Sequence, residues 1–365
     1  MTLQRLTSMK AAVISLGSVS SGWIRDALKK YFDSVDDLDI NELEVALGGK
    51  DGQVLYKGKP LPKYDCIYAR GSFRYAVLLR AITTLLNKNC YMPLRPASFT
   101  IGHDKILTHL KFQEHNVPQP TTFVATTAEN GKKSVKNLTF PVIMKTPSGT
   151  HGKGVLIADS EESANSIIDA LSMLRQPFLI QQYIDTDGRD YRCIVVGGEV
   201  IAAMRRVAAK GESRANIHSG GHGEKIELDE KTKKAAIAAA KSCGLDVCAV
   251  DILPSVKGPL VLEVNLSPGL QGITRVTGID IAEAIAQYLF DRTVALRSKE
   301  GKEMMLELEP EQEVHGPLDF RGQRILLSEA VSSASKISES DEVVVKSRKG
   351  KIEIVSKGPK KKSDE

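Results

Sequence analysis

The stretch from Cys248 to Ile273, CAVDILPSVKGPLVLEVNLSPGLQGI, limits the fold of this chain more than any other. Two apolar runs, Ala249 to Leu253 and Leu260 to Val264, flank a turn segment holding Pro254, Ser255, Lys257, Gly258 and Pro259, which predicts a β-hairpin. Alternation along a strand puts Val261, Glu263 and Asn265 on one face and Leu262 and Val264 on the other. A hairpin folded about its middle sets Asp251 opposite Glu263, so Asp251, Glu263 and Asn265 present three hard oxygen donors on one surface. That set suits Mg²⁺ or Mn²⁺ held jointly with a phosphate-bearing ligand. Taken alone, the same pattern also fits a hairpin whose acids are solvated or paired with Lys and Arg. The rest of the chain has to decide between the two.

A hairpin this apolar needs a core to pack against, and 365 residues supply one, with two or three domains expected. Apolar residues at 42% and charged residues at 26% describe an ordinary soluble globular protein. No apolar run approaches the roughly 18 residues that span a bilayer. The opening MTLQRLTSMKAAVISLG lacks a secretory h-region with a cleavage site, so the expected location is cytoplasmic. Cys66, Cys90, Cys193, Cys243 and Cys248 fit no zinc or C-x-x-C spacing and read as reduced, structural thiols. The net charge is only +5, and Lys357 to Lys362 (KGPKKK) supplies four positive charges, so charge gives no nucleic-acid surface.

In chain order, Lys10 to Leu16 reads as a buried strand, followed by a helical pattern around Trp23, Ile24, Leu28 and Tyr31. No G-x-G-x-x-G follows, so this α/β opening is not a dinucleotide fold. Lys63 to Ala69 is another strand, and Arg70 at its carboxyl end is either a surface arginine or an anion contact of the kind open α/β sheets place there. A helix follows from Arg74 to about Asn87. From Ser98 the character changes: Asp104 and Lys105 lead a helix that ends near Asn116 to Pro118. Strands are expected at Thr121 to Ala125, Phe140 to Lys145 and Val155 to Ala158, with the glycine-dense loop TPSGTHGKG, Thr146 to Gly154, between the last two. Backbone N–H groups around Gly149, Gly152 and Gly154 can approach phosphate oxygens, with Lys145 beside them. It is not a Walker A loop, and no helix follows it.

An amphipathic helix, Glu161 to Leu174, leads into the strand Pro177 to Ile184, whose amides Gln181 and Gln182 give a base-binding wall its polar edge. Strands Tyr191 to Val196 and Val200 to Met204 turn through Gly197 and Gly198, with Asp190 before the first and Arg205 and Arg206 after the second. The polar segment Lys210 to Gly223, KGESRANIHSGGHG, is a long functional loop in which Arg214, Asn216 and His218 are candidates to face a ligand. The alanine-rich helix Lys231 to Cys243 delivers the chain to the Asp251–Glu263 hairpin, and Ile279 to about Ser298 forms a last helix. Together these parts match what phosphoryl transfer from ATP requires: cations on the phosphates, a lid, an adenine slot, a bridging metal and arginines for developing charge. No Ser/His/Asp or Cys/His arrangement offers a nucleophile.

The segment from about Met92 to Gln287 resembles the ATP-grasp superfamily, within it the RimK-like carboxylate–amine ligases. The resemblance is carried by HDK (His103 to Lys105), FPVIMKTPSGTHGKGV (Phe140 to Val155), DYRCIVVGG (Asp190 to Gly198), AAMRR (Ala202 to Arg206), GESRANIHSGG (Gly211 to Gly221) and GLDVCAVDIL…GPLVLEVNLSPGLQGI (Gly244 to Ile273). It implies an α/β (α+β) ATP-grasp fold, residues 98–298, after an N-terminal α/β pre-ATP-grasp domain, residues 9–97. It also implies that Lys105 and Lys145 contact ATP phosphates, Gln181, Gln182 and Tyr183 the adenine, and Asp190 the ribose. Arg206, Arg214 and Asn216 fall at the phosphate and acyl-phosphate end, and Asp251, Glu263 and Asn265 hold two Mg²⁺ or Mn²⁺ ions. The family usually carries Glu where this chain has Gln182. The implied reaction joins a carboxylate acceptor, a small molecule or a protein tail, to an amino acid such as glutamate through an acyl phosphate, releasing ADP and phosphate.

Past the linker 299–319, residues 320–357 (FRGQRILLSEAV…ISESDEVVVKSRKGKIEIVS, starting at Phe320) resemble the AbrB/MazE swapped-hairpin module, before a charged tail, 358–365. That module typically has Pro where Ser328 stands and Gly where Ser340 stands, which points to homo-oligomerisation or docking rather than DNA binding. The competing function is a nucleotide-sensing, DNA-binding regulator built on the same two parts.

Overall fold

The structure is a computed structural model that describes residues 8–48, 52–87, 90–147, 154–208 and 222–297, and in the C-terminal part residues 319–321, 324–326, 335, 341–348 and 351–359. The chain divides into two units, Met1–Lys299 and Glu300–Glu365.

The first unit opens with β1 (Lys10–Ser15), α1 (Val19–Leu28) and β2 (Ser34–Asp39), then a small antiparallel sheet of β3 (Leu43–Ala46), β4 (Gln53–Tyr56) and β5 (Lys59–Pro60), and then β6 (Cys66–Ala69). β1 lies between β2 and β6 and is parallel to both. Its near-continuous apolar run, KAAVIS, is what a strand covered on both faces requires. Sequence patterning missed β2 to β5 because strands such as SVDDLD are polar and mostly exposed, without an apolar alternation to mark them. α2 (Ala76–Leu86) and α3 (Ser98–Ile101) lead to α4 (Lys105–Glu114), whose N-cap Asp104 accepts from the backbone N–H of Ile106 and Leu107.

A four-stranded antiparallel sheet follows, from β7 (Thr122–Ala125), β8 (Val142–Lys145), β9 (Val155–Ala158) and β10 (Phe178–Gln182), in the order β7-β10-β8-β9. α5 (Ala128–Val135) and α6 (Glu161–Ser172) cover one face, where Val142, Met144, Phe178 and Ile180 pack against Val135, Ala164 and Ile168. Alternation therefore sends Ile143, Lys145, Leu179 and Gln181 to the other face.

The larger antiparallel sheet has the order β13-β12-β11-β14-β15, from β11 (Arg189–Val196), β12 (Glu199–Val207), β13 (His222–Lys225), β14 (Val247–Ser255) and β15 (Gly258–Asn265). Gly197 and Gly198 turn β11 into β12 with φ of 62° and 85°, the left-handed pair that a two-residue hairpin demands. Between β13 and β14 runs α7 (Glu230–Ser242), which packs on β14 and β15 through buried Ala235, Ala236, Ala239 and Ala240. α8 (Gln271–Thr277), which the sequence reading did not resolve, and α9 (Ile281–Arg297) complete the unit. α9 packs on α1, and one continuous core joins the N-terminal sheet to the larger sheet and α9, while the smaller sheet with α5 and α6 has a core of its own.

The hairpin read at Asp251 and Glu263 forms, and is longer than expected: Pro254 pairs with Pro259 and Ser255 with Gly258, leaving Val256 and Lys257 as the turn. One expectation fails. A bulge between Asp251 and Ile252 sets Glu263 opposite Asp251 but Val261 opposite Ile252, so Leu262 is the extra residue and Val261 faces the core, away from Glu263.

In the second unit, β16 (Asp319–Arg321) pairs antiparallel with β17 (Arg324–Leu326), and β18 (Asp341–Arg348) with β19 (Lys351–Pro359).

Candidate active site

Alternation along β11, β12, β14 and β15 collects charge on one face of the larger sheet. Arg192 on β11 is the register partner of Asp251 on β14, and Asp251 is the partner of Glu263 on β15. Two residues back along β11, on the same face, Asp190 pairs with Arg206 on β12. The side chains follow this register. Arg192 donates to both oxygens of Asp251, Nε at 2.8 Å and Nη2 at 2.6 Å. Arg206 donates to both oxygens of Asp190 and also reaches Asp251, with Nη2 2.9 Å from Oδ2. Two arginines and two carboxylates thus form one buried network. Burial opposes ionisation of Asp251, but Arg192 and Arg206 outweigh it and hold its carboxyl well below the usual range. The same acids outweigh burial at Arg206 and keep it charged.

Glu263 is placed differently. Among the described residues it has no hydrogen-bond partner, and burial followed by the charge of Asp251 pushes its pKa up, against Arg192, Lys145 and Lys105. An acid raised by a neighbouring acid, with Asn265 two residues on along the same strand, is the environment a divalent cation relieves. Among the described residues no three His, Cys, Asp or Glu side chains gather as a metal site. An ion here would rest on Asp251, Glu263, the Asn265 amide and oxygens brought by a phosphate ligand, a donor set that fits Mg²⁺ or Mn²⁺.

Lys145, closing β8, is only 7% exposed, and its Nζ donates to Gln181 Oε1 at 2.7 Å. Burial lowers it to about 8 although Glu263 pulls the other way. Lys105 is lowered by burial as well, and Glu263 again opposes this. The backbone N–H of Lys105 donates to Pro147 O at 3.1 Å, which ties the start of α4 to the loop after β8. Gly154 closes that loop at φ +79°, where a Cβ would stand 2.8 Å from Thr146 Oγ1. Gly149, Gly152, His151, Arg214, Asn216 and His218 lie outside the described residues.

The structure does not bring Gln181 and Gln182 together. Gln181 faces Lys145, and both its N–H donors are engaged, by Thr122 Oγ1 and His109 Nε2. Gln182 belongs to the opposite face, beside its register partner Val142, and Tyr183 lies half-buried just past the strand. Arg70 is not a surface arginine. It is 3% exposed, donating to Ser21 Oγ, Tyr68 Oη and the carbonyl of Pro268. With Ser267 Oγ accepting from Gly71 N and Leu270 N donating to Ser20 Oγ, it fastens the loop beyond Asn265 to the N-terminal sheet. Two residues escaped the sequence reading although their spacing marks them: Arg192, two after Asp190 on one strand face, and His109, one helical turn after Lys105.

Lys145 on the smaller sheet and Lys105 at the start of α4, both in the field of Glu263 on the larger sheet, with Arg192 and Arg206 holding the neighbouring Asp251, equip an ATP-dependent ligase of the ATP-grasp fold. The comparisons with known proteins agree. The RimK-like ATP-grasp domain matches residues 102–289. A probable alpha-L-glutamate ligase of Marinomonas sp. (strain MWYL1) is 35% identical over 302 residues, covering 80% of this chain and 99% of the relative. A ribosomal protein bS6–L-glutamate ligase of Salmonella schwarzengrund (strain CVM19633) is 35% identical over 289 residues, covering 77% and 95%. Among solved structures, the ATP-grasp ligase PsnB with minimal precursor, Mg and ADP has a TM-score of 0.61 at 19% identity, covering 78% of this chain and 98% of that one, which shows the shared fold. The chain belongs to the RimK-like ATP-grasp family.

Proposed function

We propose that this ligase joins the amino group of glutamate to a carboxylate at the tail of an acceptor protein, through an acyl phosphate, releasing ADP and phosphate. The observation that carries the reading is the reach of the likeness: relatives named as glutamate ligases are matched over 95% and 99% of their own length, so the match includes the N-terminal sheet as well as the nucleotide site. One of them is named for a ribosomal protein as its substrate.

Lys105 and Lys145 supply the positive field for the nucleotide phosphates, and Arg206, immobilised by two carboxylates, supplies fixed charge where negative charge develops. Arg214 and Asn216 serve the same end of the site. Asp190 lies at the ribose end, next to the Arg206 guanidinium. Gly154, in the left-handed region against Thr146, ends the glycine-dense segment to which we assign the phosphate contacts through backbone N–H groups. Asp251, Glu263 and Asn265 hold the divalent cations, which when bound neutralise charge on the transferred phosphoryl group. The loop Ser267 to Leu270, fastened to Ser20, Arg70 and Gly71, sets the acceptor end, so the N-terminal sheet takes part in choosing the acceptor. No helix among the described residues is long and apolar enough to cross a membrane.

The test is the nucleotide product. ADP and phosphate are expected only when glutamate and an acceptor carboxylate are both present. Release of AMP and pyrophosphate would overturn the mechanism.

A further inference from the structure

The phosphate lysine Lys145 is the end of a chain of buried polar groups that the reaction does not itself require. Its Nζ donates to Gln181 Oε1 at 2.7 Å. The Gln181 amide nitrogen, on a residue only 2% exposed, donates to Thr122 Oγ1 at 2.8 Å and lies 3.2 Å from His109 Nε2. His109 Nδ1 lies 2.6 Å from Gln119 Oε1, and Gln119 Nε2 donates to the His109 carbonyl at 3.1 Å.

Each role in this chain is forced by its neighbour. The Gln119 amide nitrogen is taken by a carbonyl, so its oxygen faces His109 and accepts, which puts the imidazole proton on Nδ1. The His109 Nε2 lone pair is then an acceptor and selects the N–H₂ end of Gln181. That leaves the Gln181 carbonyl for Lys145. Flipping the amide would aim N–H₂ at an ammonium and a carbonyl at a lone pair, two repulsions in a buried site. Burial, aided by Lys145 and Lys105, pushes His109 down to about 4 despite Gln119, so the imidazole stays neutral near pH 7 and keeps its acceptor.

We propose that His109, backed by Gln119, is a positioning residue for the ATP step: it fixes the Gln181 amide so that its carbonyl holds the Lys145 ammonium toward the nucleotide phosphates. The inference rests on Lys145 being a phosphate contact. It also assigns the Gln181 side chain to Lys145 rather than to adenine.

Steady-state kinetics of the full chain, with ATP varied, test it. His109→Leu is expected to raise KM for ATP about tenfold, the value of one hydrogen bond to a charged group, with kcat changed far less. His109→Gln, which restores an acceptor, should recover most of that loss. In the Gln181→Leu background, His109→Leu should add nothing further, because the two act through one amide. Independent, multiplying effects, or a loss confined to kcat, overturn the proposal. Should His109→Leu fail to fold, Thr122→Val, which removes the other acceptor of the same amide, gives the same cycle with Gln181→Leu and the same two outcomes. Lys145→Met separates the layers: if it leaves KM for ATP unchanged, the phosphate reading itself is wrong, whereas a large effect there with none at His109 refutes only the positioning role.

Discussion

Lys145 should make the nucleotide-free protein less stable than it needs to be. The residue is 7% exposed, and burial lowers its pKa from the ordinary 10.5 to about 8, which corresponds to about 3 kcal/mol of charge burial. Lys145→Met removes that cost and leaves Gln181 Oε1 without its donor, a loss of about 1 kcal/mol. The variant should therefore be about 2 kcal/mol more stable at pH 7, or on the order of 4 °C in Tm. The sign with pH follows from proton counts. Between pH 8 and 10.5 the folded lysine has shed its proton while the unfolded one retains it, so wild-type stability rises relative to the variant. The gap should be full below pH 8, close through that window and reverse slightly above it. Thermal unfolding of both proteins at pH 7 and near pH 10, with and without ATP and Mg²⁺, reads this out. The variant should also lose the upward Tm shift that ATP gives the wild type. A variant less stable than wild type at pH 7, or a gap that ignores pH, would refute the reasoning.

Other perturbations test other parts of the site. Glu263→Ala should abolish turnover and metal-dependent ATP binding while circular dichroism shows an intact fold; unchanged activity would remove Glu263 from the metal set. Arg206→Met strips Asp190 of its partner and Asp251 of one of two, and denaturant unfolding should show a loss of about 3–5 kcal/mol. Gly154→Ala, forced to φ +79° against Thr146, should cost about 1 kcal/mol and raise KM for ATP. Removing residues 300–365 should leave ADP release intact and change only the elution volume in size-exclusion chromatography; loss of turnover would tie the C-terminal module to catalysis.

The parts legible in the sequence were those governed by local periodicity. A hairpin folded about its middle was enough to bring Asp251 near Glu263, and an apolar run ending in a lysine to close β8 on Lys145, but the direct pairing of Asp251 with Glu263 is made by the bulge. The bulge at Leu262 was not legible, since it arises from pairing with β14, and neither glycine nor proline marks it, so Val261 was assigned to the wrong face. Arg70 was misread for a related reason: the groups that bury it, Ser21 and Pro268, lie 49 and 198 residues away. The two amides looked equivalent because adjacency in sequence hides the fact that neighbouring strand residues face opposite ways. Arg192 was within reach of the same reasoning that found Asp190. It waited only for β14 to show that its partner is Asp251.

Mass spectrometry of candidate acceptor proteins incubated with the ligase, ATP, Mg²⁺ and glutamate looks for the ATP-driven amide between glutamate and an acceptor tail itself. The expected product carries a carboxyl-terminal mass gain of one condensed glutamate, or a ladder of them, with one ADP formed per addition. ATP consumed with no added residue on any acceptor, or an adduct formed without ADP, would contradict that reaction.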